Sequence, residues 1–124
     1  GARVLVVDDE PINREIIGYM LDSVGLVVEM AENGRQALEK VQHSPYDIVL
    51  MDMQMPELDG PDATQAMRAM PGLARIVVIA ITANAFDDDR IRCLQSGMND
   101  FISKPFKPAD LCEKLLQWLR APAR

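Results

Sequence analysis

The sequence predicts an α/β fold, a parallel sheet with helices on both faces. Three observations predict it. Short apolar runs alternate with longer amphipathic segments five times along the chain. Three of the apolar runs have almost no polar alternation, as in a parallel strand covered on both faces. Prolines fall where helices should open, and glycines where they should stop. Strands alternating with helices imply right-handed crossovers and a parallel sheet. In such sheets ligands bind beyond the carboxyl ends of the strands, where the strand order reverses.

The elements follow in order. The first strand is expected over Val4–Asp8, and Pro11 fits the first turn of the helix after it. Ile12, Ile16, Ile17, Met20, Leu21 and Val24 recur there at helical spacing, with Gly25 as the stop. A second strand is expected over Val27–Ala31. Asn33 with Gln36 resembles a capping box, opening a helix that carries Ala37, Leu38 and Val41. The third strand is Ile48–Asp52. Pro61 opens a third helix, with Ala63, Ala66, Met67 and Met70, stopped near Pro71 and Gly72. The fourth strand is Ile76–Ile81. Asp87, Asp88 and Asp89 then suit the first turn of a fourth helix, where the dipole favours acids, and that helix ends near Gly97. Asp100–Ser103 is the weakest strand. Pro108 opens the last helix, with Leu111, Leu115, Leu116 and Leu119 inward and Pro122 beyond its end.

At 124 residues the chain reads as one domain, 1–124, with a structured core over about 3–120. A composition of 48% apolar and 26% charged residues is that of an ordinary globular domain. The net charge of −6 argues against nucleic acid or an anionic membrane surface as the main partner. No apolar run approaches the roughly 20 residues needed to span a bilayer, and no signal peptide is visible. The first residue is Gly1, which suggests a piece cut from a longer protein. Cys93 and Cys112 are too few and too far apart for a metal knuckle or a redox pair, and read as reduced thiols packed on helices. His43 reads as a solvated loop residue.

The strand ends carry the chemistry. The stretch "VLVVDDEPIN" runs an apolar strand into three consecutive acids, Asp8, Asp9 and Glu10. Like charges at close range disfavour one another's ionised forms, and a bound cation is the natural remedy. The third strand ends in Asp52 within "IVLMDMQMPELDG", the fourth in Thr82 within "VVIAITANAF", and Lys104-Pro105 follows the fifth within "DFISKPF". Each alone has an ordinary structural reading as a cap, a strand-end hydroxyl or a solvated amine. Together they bring three acids, one hydroxyl and one amine to the edge where a ligand is expected. Clustered carboxylates suit a hard divalent cation such as Mg2+. A carboxylate can be a nucleophile toward a phosphoryl group, giving an aspartyl phosphate, and a metal with a nearby lysine would neutralise its oxygens. Asp52, the lone acid on the central strand, is the best nucleophile. Met51, Met53 and Met55 alternate around it and read as packing residues.

With these motifs in place, the sequence resembles the receiver domain of bacterial two-component response regulators, and especially the receivers of hybrid sensor histidine kinases. The stretches "VLVVDDEPINREI", "DIVLMDMQMPELDG", "ITANAF" and "GMNDFISKPF" carry the likeness, which covers essentially the whole chain. The resemblance implies a flavodoxin-like (βα)5 three-layer sandwich whose five-stranded parallel sheet has the order 2-1-3-4-5. It implies that Asp52 is the phosphoacceptor, that Asp9 binds Mg2+ directly, and that Asp8 assists it through water. The Gln54 backbone carbonyl would be the third protein ligand. Thr82 matches the switch hydroxyl, Lys104 the phosphate-contacting lysine and Phe101 the switch aromatic. Phe101 departs from the frequent Tyr of the family and lacks its hydroxyl. Ala83 matches a small residue that leaves room for the phosphate, and Gln54 and Asn84 flank the site where phosphoryl lifetime is tuned. The family usually holds the Lys104–Pro105 peptide cis.

The function so implied is to accept a phosphoryl group from a histidine kinase or histidine-phosphotransfer domain and to change the face formed by the fourth helix, fifth strand and fifth helix. The only catalysis implied is of the chain's own phosphorylation and dephosphorylation. The expected location is the cytoplasm, as a free regulator or as part of a membrane-bound sensor kinase. Two other readings compete with this one. A phosphatase of the haloacid-dehalogenase type would carry Asp-x-Asp after the first strand, whereas here the acceptor is on the third and position 54 is Gln. A pseudo-receiver, a pure interaction module, would usually lack an acid, the hydroxyl or the lysine.

Overall fold

The computed structural model describes residues 2–53, 59–70, 72, 76–82, 91–92, 94–103 and 108–120. Five strands form one sheet: β1 (Arg3–Val7), β2 (Val27–Ala31), β3 (Ile48–Asp52), β4 (Val77–Thr82) and β5 (Asp100–Ser103). All four pairings are parallel, and the order is β2-β1-β3-β4-β5. The order therefore reverses at β1, where β2 lies on one side and β3 on the other.

The helices are α1 (Pro11–Asp22), α2 (Gly34–His43) and α3 (Gly60–Arg68), then the helical residues 91–92 and 94–95 (α4), and α5 (Pro108–Arg120). Successive strand residues point to opposite faces, and two separate cores result. On one face Leu5, Val7, Val49, Met51, Val78 and Ala80 pack with Ala37 and Val41 of α2 and Ala63 and Met67 of α3. On the other, Val4, Val6, Leu50, Ile79 and Ile81 pack with Ile17 and Leu21 of α1 and Leu111 and Leu115 of α5. These are the three expected layers. Every residue of β3 is buried.

The punctuation works as its chemistry requires. Gly25, Gly72 and Gly97, the three expected stops, all have positive φ, which costs glycine little. Asn33 caps α2 by accepting from the Gln36 N–H at 2.9 Å. The Gln36 side chain reaches back one residue further than in a standard box, accepting from the Glu32 N–H. Pro61 stands in the first turn of α3, but the helix opens at Gly60, because Asp59 is the cap and accepts from the Asp62 N–H.

Several expectations shift. β1 runs one residue earlier than Val4–Asp8 and β4 one later than Ile76–Ile81, so Asp8 lies just past its strand and Thr82 is the last residue of its own. Ile12 and Ile16 are exposed despite their helical spacing, and Val24, expected on the same helix, lies in the turn after α1 ends at Asp22 and is exposed too. The sheet and α5 cover only the stripe of Ile17 and Leu21, and α1 is apolar over a wider arc than they can cover. Leu116, expected inward, is exposed on α5. The start of the fourth helix at Asp87–Asp89, Cys93 and Pro122 lie outside the described residues. Cys112 is a free thiol, half-buried on α5, and His43 is the exposed last residue of α2. Among the described residues no helix is long and apolar enough to cross a membrane.

Candidate functional site

The site is assembled at the carboxyl end of the sheet, at the β1 reversal. Asp8 follows β1 directly, and its N–H continues the ladder by donating to the Ala31 carbonyl. Its Oδ1 accepts from the Glu10 N–H at 2.9 Å. That bond serves the N-cap residue of α1, which makes no side-chain cap of its own, so Asp8 fills a structural role as well. The Arg14 guanidinium, on the first turns of α1, donates to the Asp8 carbonyl oxygen at 2.7 Å. Asp8 is thereby fixed from both sides and is fully buried, while Asp9, one residue on, faces solvent.

Asp52 ends the central strand β3 and is 8% exposed. It pairs with Ile81 of β4. Beyond it the Met53 N–H donates to the Ile81 carbonyl, and the Gly60 N–H donates back to the Met53 carbonyl. These bonds bring α3 down against the end of β3. A side-chain carbon at Gly60 would overlap the Asp52 carbonyl oxygen, so this approach needs a glycine. Met51 and Met53 are buried in the core beside Asp52, the packing role expected of them.

The three acids meet. Asp8, Asp9 and Asp52 each offer a carboxylate oxygen, and these oxygens lie within 4.8 Å of one another. An all-oxygen, all-anionic donor set of this size fits a hard divalent cation, and fits soft metals poorly. Asp52 lies at the end of the central strand with the other two acids beside it, where its carboxylate can act as a nucleophile.

Thr82 is buried at the end of β4, opposite Ser103 of β5. Phe101 is half-buried, and pairs with Ala80. Ala80 and Thr82 share one face of β4 and Phe101 packs with that face's core, so the ring and the hydroxyl are same-face neighbours on adjacent strands. Gln54, Ala83, Asn84, Lys104 and the Lys104–Pro105 peptide lie outside the described residues, as does Met55. Arg14 and Gly60 escaped the reading of the sequence. For Gly60 a signal existed, a glycine just before the helix-opening Pro61. For Arg14 there was none, since its bond to Asp8 depends on how α1 leaves the sheet.

The model for the response regulator receiver domain matches residues 4–116. A hybrid signal transduction histidine kinase L from Dictyostelium discoideum is 42% identical over 90% of this chain, and the sensor protein GacS of Pseudomonas syringae pv. syringae is 39% identical over 98%. The chain spans only 7% and 14% of the lengths of those two relatives. The crystal structure of the receiver domain of sensor histidine kinase PA1611 from Pseudomonas aeruginosa PAO1, with a magnesium ion coordinated in its active-site cleft, superposes with a TM-score of 0.92. It is 43% identical, covering 98% of this chain and 99% of that one. A chemotaxis protein CheY4 of Vibrio cholerae superposes with a TM-score of 0.90 at 28% identity, covering 94% of this chain and 97% of that one.

Proposed function

This chain belongs to the response regulator receiver family, and on that premise we propose that it takes a phosphoryl group onto Asp52 and reports it through Thr82 and Phe101. The observation that carries the reading is the meeting of Asp8, Asp9 and Asp52 at the carboxyl end of the sheet, with ligand oxygens within 4.8 Å of one another.

Asp9 and Asp52 would hold Mg2+ directly and Asp8 through water, with the Gln54 carbonyl as a further ligand. The ion would neutralise charge on the phosphoryl oxygens, and Lys104 would contact them from the other side. Asp52 supplies the nucleophile: a carboxylate oxygen forms the new O–P bond as the donor's N–P bond breaks. The imidazole of a histidine kinase or histidine-phosphotransfer domain leaves and takes its proton from water. Burial of Asp52 against β1 and β4 limits water near the product. Thr82, a hydroxyl beside the new anion, would turn toward a phosphoryl oxygen. The space it leaves would admit the Phe101 ring, and the face of α4, β5 and α5 would follow. Such a change goes only as far as the phosphoryl group binds the two states differently.

The test is incubation with a small phosphodonor such as acetyl phosphate, read by intact mass. The expected result is one added phosphoryl group with Mg2+, none with excess chelator, and none in Asp52→Asn. Phosphorylation that persists in Asp52→Asn, or in chelator, overturns the assignment.

A further inference from the structure

β5 is an edge strand of the sheet, and its first two residues point to opposite faces. Phe101 packs on the α2 and α3 side. Asp100 is engaged by α5, on the other side. Its Oδ2 accepts from the Trp118 indole N–H at 2.9 Å and its Oδ1 from the Lys114 ammonium at 3.1 Å. Lys114 and Trp118 are four residues apart on α5, one turn of helix, and so approach Asp100 together.

The same ammonium does a second thing. Lys114 Nζ lies 5.6 Å from the centroid of the Phe101 ring, over its face. A cation in this position is attracted to the ring quadrupole, more strongly where water is partly excluded. Here the Lys114 side chain is 29% exposed and its Asp100 partner 24%. One amine thus reaches round the sheet edge, with an anion on one face and an aromatic ring on the other. Asp100 is kept charged for this role. Burial opposes its ionisation, but the hydrogen bonds from Trp118, from the Phe101 N–H and from Lys114 outweigh burial and hold its carboxyl below the usual range.

Taking the Phe101 ring inward, toward Thr82, would remove it from the ammonium while leaving the Asp100 bonds to α5 intact. Lys114 therefore favours one ring position only. We propose that Lys114, tethered by Asp100, is a positioning residue that holds the Phe101 ring at the sheet edge and so sets the threshold for the phosphorylation switch. The proposal rests on the reading of Phe101 as the switch aromatic. It ties α5 to the state of the ring through one side chain, where an ordinary helix-docking salt bridge would be indifferent to it.

Lys114→Met keeps most of the side chain's length and apolar stem and removes the charge. Beryllofluoride with saturating Mg2+ serves as the phosphoryl mimic, and the Phe101 ring and amide resonances are followed by NMR. In the wild type they should move on saturation. In Lys114→Met without the mimic they should already lie part of the way toward the saturated position, and the beryllofluoride midpoint should fall about two- to fivefold, the scale of a partly exposed cation–π contact. Lys114→Arg should restore wild-type behaviour, and Asp100→Asn, which frees the amine from its tether, should shift the midpoint in the same direction as Lys114→Met. A Lys114→Met protein with wild-type resonances and midpoint overturns the proposal and leaves the switch reading standing. A wild-type ring that does not move on saturation overturns both.

Discussion

The two ends of the sheet handle charge in opposite ways. At the amino end, cations meet chain acceptors. The Arg68 guanidinium donates to the Gly97 carbonyl at 2.7 and 3.0 Å, to Asn99 Oδ1 at 2.8 Å and to the Ile76 carbonyl at 2.5 Å, joining α3 to the starts of β4 and β5. Asn99 Oδ1 also accepts from the Val78 N–H. Arg3 pairs with Glu29, stacks over the Tyr46 ring at 5.2 Å, and its N–H donates to Asp47. The hydrogen bond from Arg3 holds the Glu29 carboxyl below its usual range against burial. At the carboxyl end three acids converge instead. The first arrangement meets its cations with acceptors of the same chain and ties elements together. The second is suited to a cation from outside, and some stability in its absence is the expected cost of that function.

The contrast can be broken from either end. The largest effect on stability is expected from Arg68→Ala, which strands several acceptors at once. It should lower unfolding free energy by about 3 kcal/mol, or the melting temperature by roughly 10 °C, and leave the Mg2+ affinity of the folded protein unchanged. Denaturant titration with and without Mg2+ measures both. A comparable loss of Mg2+ affinity would show that the ends are not independent.

Gly60→Ala works at the boundary between core and site. Its methyl group meets the Asp52 carbonyl, so α3 or β3 must shift, at a cost of about 1–3 kcal/mol. Unlike Arg68→Ala it should also slow phosphorylation by acetyl phosphate, because Asp52 moves. An unchanged rate in the folded fraction would count against the placement of Asp52.

Asp9→Asn should have the opposite sign from either. Removing one of three like charges should raise metal-free stability, by at most about 1 kcal/mol for so exposed a group. It should weaken Mg2+ binding by at least about tenfold, and more than Asp8→Asn does. Calorimetric titration of both variants decides it, and equal losses would refute the split in roles.

The smallest effect concerns acid. A carboxyl held below its ordinary value stabilises the fold above its unfolded pKa, about 3.9, and that contribution is lost as pH falls through the folded value. Asp100→Asn should therefore be less stable than wild type at pH 7, and the gap should close below about pH 4. Parallel denaturation curves at the two pH values would reveal a pH-independent gap if the reading is wrong.

What the sequence could reveal follows from which signals are local. β3 and β4 were readable because a strand buried on both faces is continuously apolar, and the glycine stops because positive φ selects one residue type. Asp8, Asp9, Asp52 and Thr82 were readable because the βα repeat itself brings strand ends together. Strand order was not, since side chains alternate in the same way whichever strand lies alongside; it came from family resemblance. The exposure of Ile12 and Ile16 was hidden because spacing reveals an apolar face without saying how much of it a neighbour covers. The Arg68 clamp and the Lys114–Asp100–Trp118 group join residues far apart in the chain, and no local pattern announces them.

The reversal of strand order at β1 also bears on how the chain finds its fold. Val4 pairs with Val28, 24 positions away, but with Ile48 across 44. Ile48 pairs with Val77 across 29, and Ile79 with Asp100 across 21. Every pairing except β1 with β3 therefore joins consecutive strands through a single crossover. The long one must enclose all of β2 and α2 before its contacts form. By loop-closure entropy this disadvantage is only about 0.5 kcal/mol relative to the β1–β2 closure. Kinetically, β1 and β2 can associate first, and β3 then completes the central sheet from the far side. The crevice that receives the acids is thus created at the step that also joins the chain's most distant strand pair.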